Sequence, residues 1–421
     1  MIVYLKTRLE LARQRLLENG LVVHTGLLLL TVVGLALALL QQRQRAAKLF
    51  SQVHRATRLR WMRKLVEPYI TANLPAIYTD SGPTADANLP RYFGNRLMVL
   101  KAPAANGEKG VLFVMVSYIF DWIRSNMDLK RLLEDYTLVF EPSWSGYCFS
   151  GLLNYTRWKD EVFVLSAEEG DFAFLERLNS NLVPLELGPC DWVDPDAAKP
   201  YLTDQKEFDI VMNSNWAGWK RHYVLFRMLR NAKRRYKVAL IGVKWGSPLR
   251  IQADIRRLAD YYGVTSQLTI FDEIPYQQVM EITCRSRVSI LLSLKEGSNR
   301  AIAESILSDV PVIVLANHVG GIRKNIVPET GLLAEERHLA AAVDRLLESH
   351  LSPRTWGLEH VSCLKSSEKL NAILREHALS HGRPWTQDIA VRSNSPDSTY
   401  KYSSDAERLR AWNEGLRSYL R

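Results

Sequence analysis

Glu296 and Glu304, with seven residues between them, stand in the stretch of this sequence best equipped for chemistry. Residues 288–293 form an apolar, strand-like run, 294–299 a short loop, and 300–308 a helical pattern. Ser298 or Asn299 is a natural N-cap, and Gly297 lets the backbone approach a ligand closely. The start of such a helix offers unpaired N–H groups and a positive dipole end, which together suit an anion. A carboxylate only accepts hydrogen bonds, and those it accepts are strong. Beside a bound phosphate, Glu304 in the second helical turn is placed for the vicinal hydroxyls of a ribose. Glu296, at the loop edge, is placed for hydroxyls on a sugar ring. The bland alternative is two solvated glutamates of an ordinary α/β domain.

The elements that must position these residues are strands and helices in alternation. Strand-like runs cover 111–116, 137–140, 161–165, 208–212, 237–243, 268–271, 288–293 and 310–316. Helical patterns separate many of them, notably 121–135, 172–178, 219–232, 249–262, 276–285 and 300–308, with Gly263 placed as a C-cap. This alternation implies right-handed crossovers and parallel sheets. A break rich in Pro and Asp at 188–196 suggests two Rossmann-like domains facing a cleft, 93–205 and 206–350. Ligands bind such sheets at the carboxyl ends of their strands. Residues 351–421 read as a helical tail packing back on the first of these domains.

The N-terminal sixty residues differ in kind. Residues 21–40 contain no Asp, Glu, Lys or Arg, and twenty residues of helix span about 30 Å, the thickness of a bilayer core. Residues 1–64 carry twelve Lys/Arg against two acidic residues, so they account for the whole formal charge of +10. The neutral remainder excludes a general nucleic-acid binder. The expectation is an N-terminal transmembrane helix, single-pass, with the body on the cytoplasmic side of the cell membrane; a re-entrant or monotopic insertion, with both ends cytoplasmic, gives the body the same place. A basic amphipathic helix over 44–66 is expected to lie on lipid, followed by a linker over 67–92 rich in proline. The four cysteines (Cys148, Cys190, Cys284, Cys363) form no metal-binding pattern and suit a reducing compartment.

Glu296-Gly297, Glu304, Pro311-Val312-Ile313-Val314, Gly320-Gly321 and Thr330-Gly331 follow one another in an order that resembles the donor half of glycosyltransferase family 4, of GT-B fold. The resemblance implies that Glu304 binds the ribose and Glu296 the donor sugar, with the amides of Gly297, Ser298 and Asn299 near the diphosphate or the sugar. It further implies an Arg and a Lys after the first strand of this domain. Lys220 falls where that Lys would stand, and Arg221 lies beside it. The family's Gly-Arg pair is replaced by Asn213-Ser214-Asn215, for which Arg221 or Arg300 is the candidate substitute. His318 is a candidate donor-phosphate contact or a loop cap.

The acceptor half departs further, with no Gly-rich loop after its first strand and no histidine between His54 and His222. Asp121, Glu141 and the 144–147 loop are candidates there by position alone, and Asp194-Pro195-Asp196 reads as a turn. What the resemblance implies is a membrane-anchored, retaining glycosyltransferase, taking a nucleotide-sugar donor and a glycan or glycolipid acceptor. It needs membrane lipids and no metal or cofactor. The alternative is a non-catalytic membrane scaffold with a degenerate GT-B body.

Overall fold

Apolar runs alternating with helices build two sheets, each in its own unit of a computed structural model that describes residues 2–79, 93–200, 206–245 and 251–421. One unit comprises Gly20–Trp192 with Cys363–Arg421, the other Met1–Asn19 with Val193–Ser362. The expected boundary at 205 lies outside the described residues, and the chain changes unit ahead of it.

Four helices open the chain: α1 (Ile2–Glu18), α2 (Gly20–Leu39), α3 (Arg43–Ala56) and α4 (Arg60–Ala72). α3 packs along α2, burying Leu27, Thr31 and Gly34 of the latter. A Cβ at Gly34 would lie 2.5 Å from the Phe50 ring, so this approach requires glycine. Ala46, Ala47, Phe50 and Val53 of α3, with Met62, Val66 and Ile70 of α4, join the domain core. Arg43, Arg45, Lys48, Arg55, Arg60 and Lys64 remain exposed. The lipid-facing helix expected over 44–66 is therefore corrected. Most of its basic residues do face solvent, Arg63 excepted, but its apolar stripe is the inner face of two helices, and protein core occupies the place assigned to lipid. Pro68, expected in a linker, sits inside α4; residues 80–92 of that linker lie outside the described residues.

The first sheet runs β1 (Leu97–Lys101), β2 (Gly110–Met115), β3 (Tyr136–Glu141), β4 (Val162–Leu165), β5 (Leu182–Leu185) in spatial order. β2 to β5 are parallel, and β1 is an antiparallel edge. The crossovers carry α5 (Ser117–Asn126), α6 (Leu129–Asp135), α7 (Ser150–Leu153) and α8 (Glu169–Leu178). The single helix expected over 121–135 is two, because the Asp128 side chain caps α6 by accepting from Arg131 N. Val116, directly after β2, has φ +71°, a conformation costly for a β-branched residue. It makes the turn for which the resembling family uses glycine.

A buried ionic cluster ties α3 and α4 to α8. His54 Nε2 lies 3.0 Å from Glu67, Arg177 Nε donates to Glu67 at 2.8 Å, and Arg63 donates to Glu168 at 2.8 Å. Burial alone would raise the Glu67 carboxyl, but His54 and Arg177 outweigh it and hold it at about 2, against an ordinary 4.5. A depressed carboxylate stabilises the fold above its unfolded pKa and loses that contribution as pH falls through its folded one. Melting temperature should therefore drop between about pH 4.5 and about pH 2.5. Glu67→Gln should lower it at neutral pH and flatten the acid limb, as a scanning-calorimetry series would record.

The second sheet contains β6 (Phe208–Asn213), β7 (Val238–Gly242), β8 (Leu268–Asp272), β9 (Ser286–Leu291), β10 (Val312–Leu315) and β11 (Gly331–Ala334). Their order is β11-β10-β9-β6-β7-β8, and every pairing is parallel. α9 (His222–Asn231), α10 (Gln252–Tyr262), α11 (Tyr276–Cys284), α12 (Arg300–Leu307) and α13 (Leu339–Leu347) lie along the connections, and α14 (Pro353–His360) packs on α12. Gly263 ends α10 at φ +70°. Asp194 Oδ1 accepts from Asp196 N at 2.9 Å, a turn. α15 (Cys363–Ser380), the hairpin β12 (Arg392–Asn394) and β13 (Ser398–Tyr400), and α16 (Ser403–Gly415) return to the other unit.

α1 belongs to this second unit, packed on α10. Leu11 is buried in its core, Arg15 donates to Tyr262 Oη at 2.7 Å, and Arg257 lies 3.2 Å from Glu10. At the end of α1, Glu18 Oε2 accepts from Arg221 Nε at 2.7 Å and from Tyr223 Oη at 2.5 Å. These contacts bear on the single-pass expectation. Among the described residues only α2 is long and apolar enough to cross a bilayer. One crossing would put α1 and residues 193–362, which form one folded unit, on opposite sides of the membrane.

Candidate functional site

The candidate site is assembled where β9 passes through the 292–299 loop into α12. Asn299 is the N-cap, its Oδ1 accepting from Ile302 N at 3.1 Å. The same side chain donates through Nδ2 to Glu296 Oε2 at 2.9 Å, while Lys220 Nζ donates to Glu296 Oε1 at 2.6 Å. Glu296 thus has a different partner on each carboxylate oxygen, and both it and Lys220 are buried. Burial pushes the Glu296 carboxyl up, but Lys220, Ser293 and Asn299 outweigh it and hold the group below its ordinary value. It is ionised at neutral pH.

The β10 side of the loop is stitched down by backbone. Glu296 N donates to Val319 O at 3.0 Å, Val319 N to Leu294 O at 2.9 Å, and Gly321 N to Gly297 O at 2.5 Å. His318 Nδ1 lies 2.8 Å from Ser293 O, and burial holds the imidazole below its ordinary pKa. Neutral imidazole donating from Nδ1 leaves a lone pair on Nε2. That atom is buried and has no hydrogen-bond partner among the described residues.

Gly320 sits against it. A Cβ there would come within 2.6 Å of His318 Nε2, 2.8 Å of Glu296 O and 3.1 Å of Gly297 O. Two of those three atoms are backbone and cannot swing aside. Gly320→Ala should therefore displace the loop and lower Tm by a few degrees, which a melting curve would read.

Glu304 lies inside α12, sealed from solvent at 2% exposure, with Arg300 Nε 3.0 Å from its Oε1. Burial raises its carboxyl above the ordinary range, opposed by Arg300 and by a hydrogen bond from Tyr276. Arg300 thus faces Glu304, a use different from the phosphate contact considered for it. Gly297 and Ser298 are half-buried at the loop tip leading into α12.

Arg221 is placed differently from its neighbour Lys220. It adopts φ +61° ahead of α9 and is buried. Besides Glu18, it donates to Glu336 at 2.7 Å, to Leu292 O at 3.1 Å and to Tyr223 Oη at 3.2 Å. Burial disfavours its charge, and Tyr223, Glu18 and Glu336 more than restore it. The catalytic role expected of Arg221 would require a diphosphate to displace these protein carboxylates from its guanidinium. Sequence reasoning missed Glu18, Glu336 and Tyr276. The first two are far from Arg221 along the chain, and no local pattern reports such pairs.

Glu141, an acceptor-side candidate by position, is buried and receives two hydrogen bonds from Arg392 at 3.0 and 3.1 Å. Arg392 in turn stacks over Phe113 and Trp192. This is core architecture. Glu161, His377 and His381 form the one cluster among the described residues with metal-ligand spacing, in the unit that does not contain β6–β11.

Residues 207–349 match the family model described as glycosyl transferases group 1. Among solved structures, sucrose-phosphate synthase from Thermosynechococcus elongatus is similar, at 15% identity and a TM-score of 0.50, over 75% of this chain and 79% of that one. The Anabaena protein HepE, solved in complex with UDP, is similar at 11% identity and a TM-score of 0.50, over 63% and 78%. No curated protein matches. The α/β fold with its parallel sheets matches that of GT-B glycosyltransferases.

Proposed function

We propose that this chain is a retaining glycosyltransferase of the family 4 type. It transfers a sugar from a nucleoside-diphosphate donor to a lipid-linked or envelope-glycan acceptor at the cytoplasmic face of a membrane. The observation that carries the reading is the Lys220–Glu296–Asn299 cluster at the entrance to α12, one helical turn from buried Glu304. Glu304 accepts from the ribose hydroxyls, and Glu296 and His318 Nε2 accept from hydroxyls of the donor sugar. Gly297, Ser298 and Asn299 present backbone to the diphosphate at the positive end of α12. Lys220 supplies the charge that a leaving diphosphate needs as its bond to the anomeric carbon breaks. The reaction proceeds directly and without a cofactor. The group 1 match over 207–349 supports the donor assignment, and HepE, of the same fold, binds UDP.

A panel of nucleoside diphosphates tests this cheaply. A ligand that binds only the folded state raises Tm, by about 2.7 kcal/mol of stabilisation at one hundred times Kd. At least one base should do so, and membranes carrying the protein should transfer label from the matching nucleotide sugar. Silence across the whole panel would end the proposal. The scaffold reading draws on one observation, the commitment of Arg221 to Glu18 and Glu336. Nucleotide binding without turnover by the full chain would favour it.

A further inference from the structure

α2 and its flanks are built for a membrane in a way that a crossing helix is not. Its 20 residues form one unbroken helix about 30 Å long, so it cannot turn back inside a bilayer. Its N-terminal neighbour α1 is folded with residues 193–362, and its C-terminal neighbours α3 and α4 with residues 93–192. No second span among the described residues returns the chain, so both ends of α2 lie on one side of any membrane.

A straight helix with both ends at one surface lies along that surface. Its two sides are suited to this. One arc, around Leu27, Thr31 and Gly34, is covered by α3, which supplies the polar outer face that an interfacial helix ordinarily carries on its own sequence. The remaining arc exposes Leu28, Leu29, Val32, Val33 and Leu39, a solvent-facing apolar surface. Exposed Trp61 and Leu65 on α4 sit among the exposed bases of α3 and α4, the residue types that hold a protein at an anionic headgroup layer.

We infer that α2 lies in the plane of an anionic lipid monolayer, its exposed arc in the acyl boundary, so that the protein is monotopic. The inference rests on the membrane-surface part of the proposed function and fixes its topology. The four native cysteines are buried, which leaves introduced ones to report alone.

The full chain, carrying single substitutions Leu21→Cys, Leu29→Cys or Leu39→Cys labelled with a fluorophore, is bound to vesicles of phosphatidylglycerol and phosphatidylcholine. Depth-dependent quenching should place all three labels equally shallow. Arg13→Cys and Arg45→Cys should both react fully with an impermeant maleimide added outside. Binding should fall several-fold on phosphatidylcholine alone. A deep Leu29 label between two shallow ones, or labelling of the two arginine positions from opposite sides, overturns the in-plane arrangement and leaves membrane association standing. Failure to bind any vesicle removes both. Probes buried without lipid, with a doubled mass, would assign the arc to a second copy and overturn the inference. Sugar transfer from a labelled donor is read separately and decides the catalytic part.

Discussion

On the proposed donor role, Glu304→Ala should weaken binding of the cognate nucleoside diphosphate sugar by about 100-fold, the loss of two charge-assisted hydrogen bonds at roughly 1.5 kcal/mol or more each. It does so without unfolding the protein. The Glu304 carboxyl is held above its ordinary range by burial. A carboxyl raised in the folded state stabilises at low pH and loses that contribution as pH rises through the folded value. At neutral pH it is therefore a liability to the fold, kept for another reason. Arg300, one-third exposed, stays within reach of water when Glu304 is removed. Tm at pH 7 should hold or rise, and the Glu304→Gln variant should do the same while still losing donor affinity. Isothermal titration beside a melting curve checks both. A purely structural glutamate would give the reverse pattern, a large fall in Tm with nucleotide affinity intact.

The strand, loop and helix that hold this residue were legible because each link is local. The apolar run before 294, glycine and asparagine in the loop, and the 3.6-residue pattern after it all lie within twenty positions. Asn299 as the cap is a matter of which of two adjacent residues reaches Ile302 N. The edge strand β1 was not legible, because its five residues carry no alternation and pair backwards onto β2.

The helices α3 and α4 illustrate a different limit. A basic helix with one apolar stripe has the same sequence whether that stripe meets acyl chains or Phe140 and Phe174 of a domain core, and only tertiary structure separates the cases. Hydropathy measured α2 correctly and said nothing about its ends. What bears on those ends is α1, folded against residues far along the chain.

On the proposed reading the adjacent cations Lys220 and Arg221 divide catalysis from architecture, and replacing each in turn should give opposite signatures. Lys220→Ala should lower kcat by roughly 100- to 1,000-fold, the usual cost of removing a group that stabilises charge on a leaving group. It also strips Glu296 of the nearest charge that offsets its burial. The carboxyl then rises, and the acid limb of the activity profile moves to higher pH. A side chain that merely packed there would leave that limb where it was. Arg221→Ala instead abandons Glu18 and Glu336, and breaking such a buried pair costs about 3–5 kcal/mol. Tm should fall by many degrees, while the fraction still folded keeps a kcat within a few-fold of the parent. If Arg221→Ala instead stayed folded and lost turnover as Lys220→Ala does, the guanidinium would be serving the diphosphate, and the bond from α1 would be a contact that donor binding breaks.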